Sequence, residues 1–436
     1  MAESDIDRSL IVNYVLRGIF YPLILTITFF ISRGILSRAF PNYLPIKLSF
    51  RFIPWILIFF ALAEGFHRFK VIDFLTESKL KDDVIATYYL DPREITLAPK
   101  NPKNLILIYV ESLEKSYANE SVFRKNLISP LESLTGVEIQ NYIQMPGTGW
   151  TMGGIVSTQC SIPLKVVALG DENSQGKFYK TLLPNAECLG DTLKRNGYYN
   201  VFLGGASLKF SGKGKFLRAH GYDRVLGKEE WLSTGLFDER DLNGWGLFDK
   251  DVLSQARKEL DILESKKGHF NLTILTLDTH FSRGYMSDKC AASLLDKAGG
   301  LEEIIECSSA EVADFVNYAK NKGYLKNTNI LIIGDHLSMP STIYPKLKKI
   351  QRRTIYNKWI SEDIVKFNRD TVDHFDIAPT VLDFIGLNVE GARYGLGYSS
   401  LSKKTLPPIG LYHDLESGLV RSSPFYNSFW VRPDAR

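Results

Sequence analysis

Four short apolar runs restrict the folds open to this chain more than any other feature. Asn104-Leu105-Ile106-Leu107-Ile108-Tyr109-Val110 is apolar without alternation, as a strand must be when both of its faces are covered. Residues 198–203, 271–277 and 329–333 have the same character. Helical patterns fall between and beside them, at 151–157, 189–196, 251–265 and 310–322. Strands alternating with helices predict an α/β domain with a mainly parallel central sheet flanked by helices. No internal repeat or low-complexity tract competes with that reading.

In an open α/β sheet, ligands bind beyond the carboxyl ends of the strands. Three chemically loaded segments stand at such ends: Glu111-Ser112, Asp278-Thr279-His280 and Asp335-His336. A fourth segment, Gly147-Thr148-Gly149-Trp150-Thr151-Met152-Gly153-Gly154, places a hydroxyl at the predicted first turn of a helix. Free backbone N–H groups and the helix dipole favour an anion there. Carboxylates, an imidazole and an alkoxide suit a hard or borderline divalent metal, and metal binding turns a hydroxyl into a competent nucleophile. Glu111, Asp335, His336 and Thr151 supply that set, which points to metal-assisted phosphoryl transfer with Thr151 as nucleophile. Each residue alone has a plainer reading as a cap or a solvated loop group. Their convergence on one sheet edge favours the chemical one.

Composition bounds the partners. The 53 basic and 49 acidic residues leave a net charge of +4 over 436 residues, which carries no nucleic-acid signature. The apolar content is concentrated near the start. Residues 10–32 form a stretch of spanning length, where roughly 20 residues suffice, and 50–66 a shorter one. A signal peptide fits poorly, because Glu3-Ser4-Asp5-Ile6-Asp7 is acidic and no small-residue cleavage site follows. Arg33, Arg38, Lys47 and Arg51 between the two stretches place that connector in the cytoplasm and the main domain outside. The expected organisation is therefore a membrane anchor of one or two transmembrane helices over 1–67, a linker over 68–103 and an extracytoplasmic catalytic domain over 104–436. Cys160, Cys188, Cys290 and Cys307 allow three connectivities if all pair; proximity in sequence favours Cys160–Cys188 and Cys290–Cys307. Four buried free thiols is the alternative.

The order of blocks then becomes informative. Leu107 to Glu114, Gly147 to Thr151 and Gln159-Cys160 come first. Gly212-Lys213-Gly214, His220-Gly221-Tyr222-Asp223 and Trp245-Gly246-Leu247-Phe248-Asp249 follow. Leu275 to His280, Gly334-Asp335-His336 and Phe375 to Thr380 complete the series. This series resembles the phosphoglycerol transferase I family, which decorates periplasmic glucans, over residues 104–401. More distantly it resembles lipoteichoic acid synthases, within the sulfatase and alkaline phosphatase superfamily. The resemblance implies one catalytic divalent ion, Mn2+ or Mg2+, held by Glu111, Thr151, Asp335 and His336, with Thr151 as nucleophile and His280 binding substrate. It implies a phosphatidylglycerol donor, an envelope glycan acceptor and a bacterial inner-membrane protein whose catalytic domain faces the periplasm. The rivals are a phosphoethanolamine transferase or a phosphodiester hydrolase on the same core, or a non-catalytic membrane scaffold for surface-glycan assembly. The segment Cys160-Ser161-Ile162-Pro163-Leu164 lacks the Cys-x-Pro spacing and following Arg of a formylglycine precursor, which excludes sulfate-ester hydrolysis by that route.

Secondary candidates complete the expectations. Asp278 ends its strand, and Lys213, Lys215 and Trp245 are contacts to phosphate or glycerol. His220 is a helix-end cation, and His374 and Asp376 cap the last helix. Asn243, Gly244 and Asp249 carry no assignment.

Overall fold

The computed structural model describes residues 24, 27–29, 31, 32, 35, 38, 39, 83–165, 179–292, 299–403 and 405–430. The chain divides into two compact units, Met1–Lys81 and Asp82–Arg436. In the first unit the described residues are helical, and no described helix is long and apolar enough to cross a membrane. Most of the stretch 10–32 and all of 50–66 lie outside the described residues.

The second unit is built on six strands: β1 (Asn104–Val110), β2 (Tyr198–Gly204), β3 (Arg224–Leu226), β4 (His269–Leu275), β5 (Thr328–Gly334) and β6 (Asn357–Ile360). They run in the order β3-β2-β4-β1-β5-β6. All neighbours are parallel except β5 and β6, so the sheet is mixed, with one antiparallel edge strand. The central β1 pairs Leu107 with Thr273 of β4 on one side and with Leu331 of β5 on the other.

Continuous apolar strands make sense because both faces are covered. Leu105, Leu107 and Tyr109 pack into one core with Ile155 and Val156 of α1 (Thr151–Cys160), Leu189 and Leu193 of α2 (Leu189–Arg195), and Val381 of a late helix. Ile106, Ile108 and Val110 pack into the opposite core. There they meet Val252, Ala256 and Leu260 of α4 (Asp249–Glu264) and Val312, Phe315 and Val316 of α5 (Leu301–Asn321). A shorter helix, α3 (Lys213–Ala219), follows β2, and α6 (Ile377–Phe384) carries Val381. The result is a three-layer α/β/α domain.

Several boundaries differ from the sequence expectation for identifiable reasons. β4 spans His269–Leu275 rather than 271–277, because the Leu277 and Asp278 amides bond to the Asp249 carboxylate instead of extending the ladder. α5 begins nine residues earlier than the expected 310, since Leu301, Ile304 and Ile305 continue its buried face. The Glu303 carboxylate also accepts from Gly300 N at 2.8 Å and so closes the helix start. Residues 83–103 lie along the C-terminal part of the domain, with bridges Leu90↔Gly395 and Leu97↔Val389. Both disulfides, Cys160–Cys188 and Cys290–Cys307, are formed. The first ties the C-terminal end of α1 to the residue that precedes α2.

Candidate active site

The sheet delivers its functional groups from two strand ends to one point. Glu111 follows β1, Asp335 and His336 follow β5, and one ligand atom from each lies within 4.8 Å of the others. All three are at least 97% buried. Thr151 is the first residue of α1, and its Oγ1 donates to Glu111 Oε2 at 3.1 Å. The four residues expected to hold a metal are therefore together.

That convergence depends on a close approach of two backbones. A Cβ on Gly154 would lie 2.1 Å from the Asp335 carbonyl oxygen, so only glycine lets the first turn of α1 rest against the β5 end. Hydrogen bonds then fix the loops. Ser112 N and His336 N both donate to Asp335 Oδ1, at 2.8 and 2.9 Å. Ser112 Oγ donates to Glu111 Oε1, and Thr279 Oγ1 to the Glu111 carbonyl. Gln144 Oε1 accepts from Leu337 N at 2.7 Å, joining the strand-end loop to the stretch before α1. His374 Nε2 donates to the Asp335 carbonyl at 2.9 Å. Burial pushes the His374 pKa down to about 3, so it acts as a neutral donor.

The atoms left over define what the site can hold. His336 Nδ1 lies 2.8 Å from the Leu337 carbonyl; a carbonyl only accepts, so Nδ1 carries the proton and Nε2 keeps its lone pair. That Nε2 stands 3.5 Å from Glu111 Oε1 and 3.4 Å from Asp335 Oδ2. Neither His336 Nε2 nor Asp335 Oδ2 makes a hydrogen bond, although both are buried. Electrostatics point the same way. Burial, with the Glu111 charge adding to it, pushes Asp335 up to about 7. Burial also acts to raise Glu111, but His336 and His280, with hydrogen bonds from Ser112 and Thr151, outweigh it and hold that carboxyl below its usual range. Burial acts to lower His336, yet Asp335 and Glu111 raise it. Two buried carboxylates and an imidazole lone pair around one point demand a cation, and this donor set fits a divalent metal.

His280 sits at the same rim. Its Nδ1 donates to the Phe281 carbonyl at 2.8 Å, leaving Nε2 as an acceptor. Burial lowers its pKa against the pull of Glu111, so the ring is neutral near pH 7. Lys213 is buried at the start of α3. Burial pushes its pKa down to about 8, opposed by the charges of Glu111 and Asp335.

Other candidates have other duties. The Lys215 side chain is exposed and donates to the Tyr179 carbonyl. His220 lies between Asp191 Oδ2 and the Leu182 carbonyl, away from any reacting group, and closes the end of α3. His374 and Asp376 do not cap α6 with their side chains. Asp376 accepts instead from Arg369, Tyr412 and the Tyr398 amide, while Asp373 caps the turn before α6. Asp278 has the structural role expected of it, accepting from Asp249 N and Asn243 Nδ2. Sequence reasoning did not single out Gln144, read His374 only as a cap and left Asp249 unassigned, because the partners of all three are remote in the chain. Ser112 carried a usable signal, the Glu-Ser pair at a strand end.

Fold and site together define an α/β core of the alkaline-phosphatase type with a cluster of residues that could hold a metal at its strand ends. Residues 103–387 match the sulfatase family, and the chain belongs to it. Phosphoglycerol transferase I of Salmonella paratyphi B is 33% identical over 433 residues, covering 97% of this chain and 54% of that protein. The chain thus spans about half the length of the curated relatives it matches. Among solved structures, a Vibrio parahaemolyticus protein of the alkaline phosphatase superfamily is similar with a TM-score of 0.57 and 20% identity, over 74% of this chain and 78% of that one. The lipoteichoic acid synthase LtaP of Listeria monocytogenes is similar with a TM-score of 0.54 and 13% identity, over 77% of this chain and 96% of that one. Both likenesses are of fold. Membership of the sulfatase family does not bring back the formylglycine route, because Cys160 is locked in a disulfide at the far end of α1 from Thr151.

Proposed function

We propose that the chain is a membrane-anchored phosphoglycerol transferase, moving a phosphoglycerol group from phosphatidylglycerol to a hydroxyl of an envelope glycan. One observation carries the reading: a threonine hydroxyl at a helix N-terminus, bonded to Glu111 beside two further buried ligand atoms, Asp335 Oδ2 and His336 Nε2, that make no hydrogen bond. The likeness to phosphoglycerol transferase I supports the donor and the reaction class.

A divalent ion, Mn2+ or Mg2+, held by Glu111, Thr151, Asp335 and His336 would lower the Thr151 pKa and offset phosphate charge. Thr151 Oγ1 attacks phosphorus; its bond to phosphorus forms as the bond to the diacylglycerol oxygen breaks, and the threonine proton ends on that oxygen. A glycan hydroxyl then attacks the phosphothreonine, and its proton returns to Thr151. His280, with Nε2 bare, accepts that proton in passage or a hydrogen bond from the glycerol. Lys213 meets the donor phosphate while it is charged. The free amides of α1 complete the anion cradle.

Anchoring accounts for access to a donor that stays in the bilayer. In the described part of the first unit, Ile24, Ile27, Ile31 and Ile35 fall on one helical face and are exposed. The proposed organisation is an anchor over 1–67, a segment over 68–103 whose described residues 83–103 pack on the catalytic domain, and that extracytoplasmic domain over 104–436. Two disulfides favour an oxidising compartment such as the periplasm.

Thr151→Ala tests the mechanism. Transfer to glycan, read by mass spectrometry, should fall on the order of 10³-fold or more, while Mn2+ binding by calorimetry persists through the other three ligands. Asp335→Ala and His336→Ala should lose both. Transfer by Thr151→Ala at wild-type rate would exclude the covalent route. Preference for phosphatidylethanolamine in a donor competition would replace the donor assignment.

A further inference from the structure

Beside His280 the domain holds a half-buried tryptophan in place with unusual care. Trp245 follows a turn in which Asn243 Oδ1 accepts from both Trp245 N and Gly246 N, at 2.8 and 2.9 Å. Asn243 Nδ2 in turn donates to Asp278 Oδ1, two residues before His280, so the turn and the His280 loop are one hydrogen-bonded unit. The turn is also pressed against the end of β2. A Cβ on Gly246 would meet the Gly205 carbonyl oxygen at 2.0 Å, and Leu247 N donates to that same oxygen. Packing completes the arrangement. The Trp245 ring centroid lies 4.5 Å from that of His280 and 5.1 Å from that of Phe210, which meets it nearly edge-on.

Burial does not explain this arrangement. Trp245 belongs to neither core cluster, and its indole N–H has no hydrogen-bond partner among the described residues. A rigid aromatic face, an unspent N–H donor and the bare Nε2 of His280 therefore border the reaction centre together. This combination suits a ring with an apolar C–H face and hydroxyls at its edge. A sugar has both, whereas a phosphate has no apolar face and an acyl chain has no use for the polar groups.

Resting on the transferase reading above, we propose that Trp245, supported by Phe210, is the acceptor subsite, on which one pyranose ring of the glycan stacks. Its attacking hydroxyl then faces His280 and Thr151. Asn243 is a positioning residue that acts through Trp245.

Two assays on the full-length, metal-loaded enzyme test this: diacylglycerol release from phosphatidylglycerol vesicles without acceptor, and transfer to a gluco-oligosaccharide. Trp245→Ala should lower acceptor kcat/KM at least tenfold more than it lowers acceptor-free release, with the loss in acceptor KM; Trp245→Phe should recover much of it. In Thr151→Ala protein, saturation-transfer NMR should detect the oligosaccharide, and adding Trp245→Ala should weaken that signal. Equal losses in both assays, or an unchanged acceptor KM, would overturn the subsite while leaving the transferase intact. Wild-type protein that cleaves no phosphatidylglycerol would overturn the transferase reading itself.

Discussion

Lys213 has a chemistry that depends on its place in the fold. It is 3% exposed, and no hydrogen bond or salt bridge to a described residue holds its ammonium. Burial lowers its pKa to about 8, and the Glu111 and Asp335 charges only partly offset that. The sign follows directly: the group is a cation below about pH 8 and neutral above it. As the proposed contact to the donor phosphate, it should make donor kcat/KM fall with a single-proton slope as pH rises through that region. Lys213→Arg, charged at every accessible pH, should flatten that limb, and Lys213→Met should cost roughly 10–100-fold at pH 7, the scale of one charge-assisted contact. A pH profile of diacylglycerol release reads all three. An unchanged alkaline limb in Lys213→Arg would assign it to another group. His280 behaves oppositely in form, since its lowered pKa keeps Nε2 a free acceptor across the same range.

At the scale of elements, the packing of α1 on the end of β5 determines whether the site exists. Gly154 is where they touch, with the Asp335 carbonyl only 2.1 Å from a hypothetical Cβ. Gly154→Ala must therefore push the helix away from the strand end, moving Thr151 relative to Glu111 and Asp335. Such a shift should cost Mn2+ affinity and transfer at least 100-fold, because misplacement of about 1 Å costs that much in a positioned reaction. Far-ultraviolet dichroism should stay native, and a variant with normal metal affinity would show that the contact can relax. The sequence made α1 and its hydroxyl legible only through convergence: a Gly-rich turn before a helix reads alone as a cap, and the loaded strand ends tipped it to the chemical reading. It also exposed β1, β2 and β5, and the apolar runs of β1 and β5 lead to Glu111 and Asp335. The run 271–277 misled by two residues: Thr276 and Leu277 look like strand, but Asp249, a residue of α4, captures the amides that would extend it. The same limit hid the roles of His374 and Gln144. Each acts through a single bond to a backbone atom some 40 or 190 positions away, and nothing local marks such a partner.

For the whole molecule, the issue is how the site would meet the proposed lipid donor. The unit Asp82–Arg436 contains both core clusters, from Ile85 to Phe429, as well as both disulfides. It has what a domain requires to fold alone. The site residues named above all belong to the second unit, and the proposed work of the first is to keep the catalytic domain at the membrane. Tethering raises the local concentration of a substrate confined to the bilayer without adding a contact to it. A protein beginning at Asp82 should therefore remain folded, bind Mn2+ normally and turn over a short-chain, water-soluble phosphatidylglycerol at close to the full-length rate. On long-chain phosphatidylglycerol vesicles it should fall behind by roughly 10²–10⁴-fold, the range that tethering supplies. Parallel assays of both proteins on both donors check this. If the shortened protein lost the short-chain donor equally, the first unit would be shaping the site rather than delivering it. If it kept the vesicle rate, the apolar N-terminal segments would serve some purpose other than access to lipid.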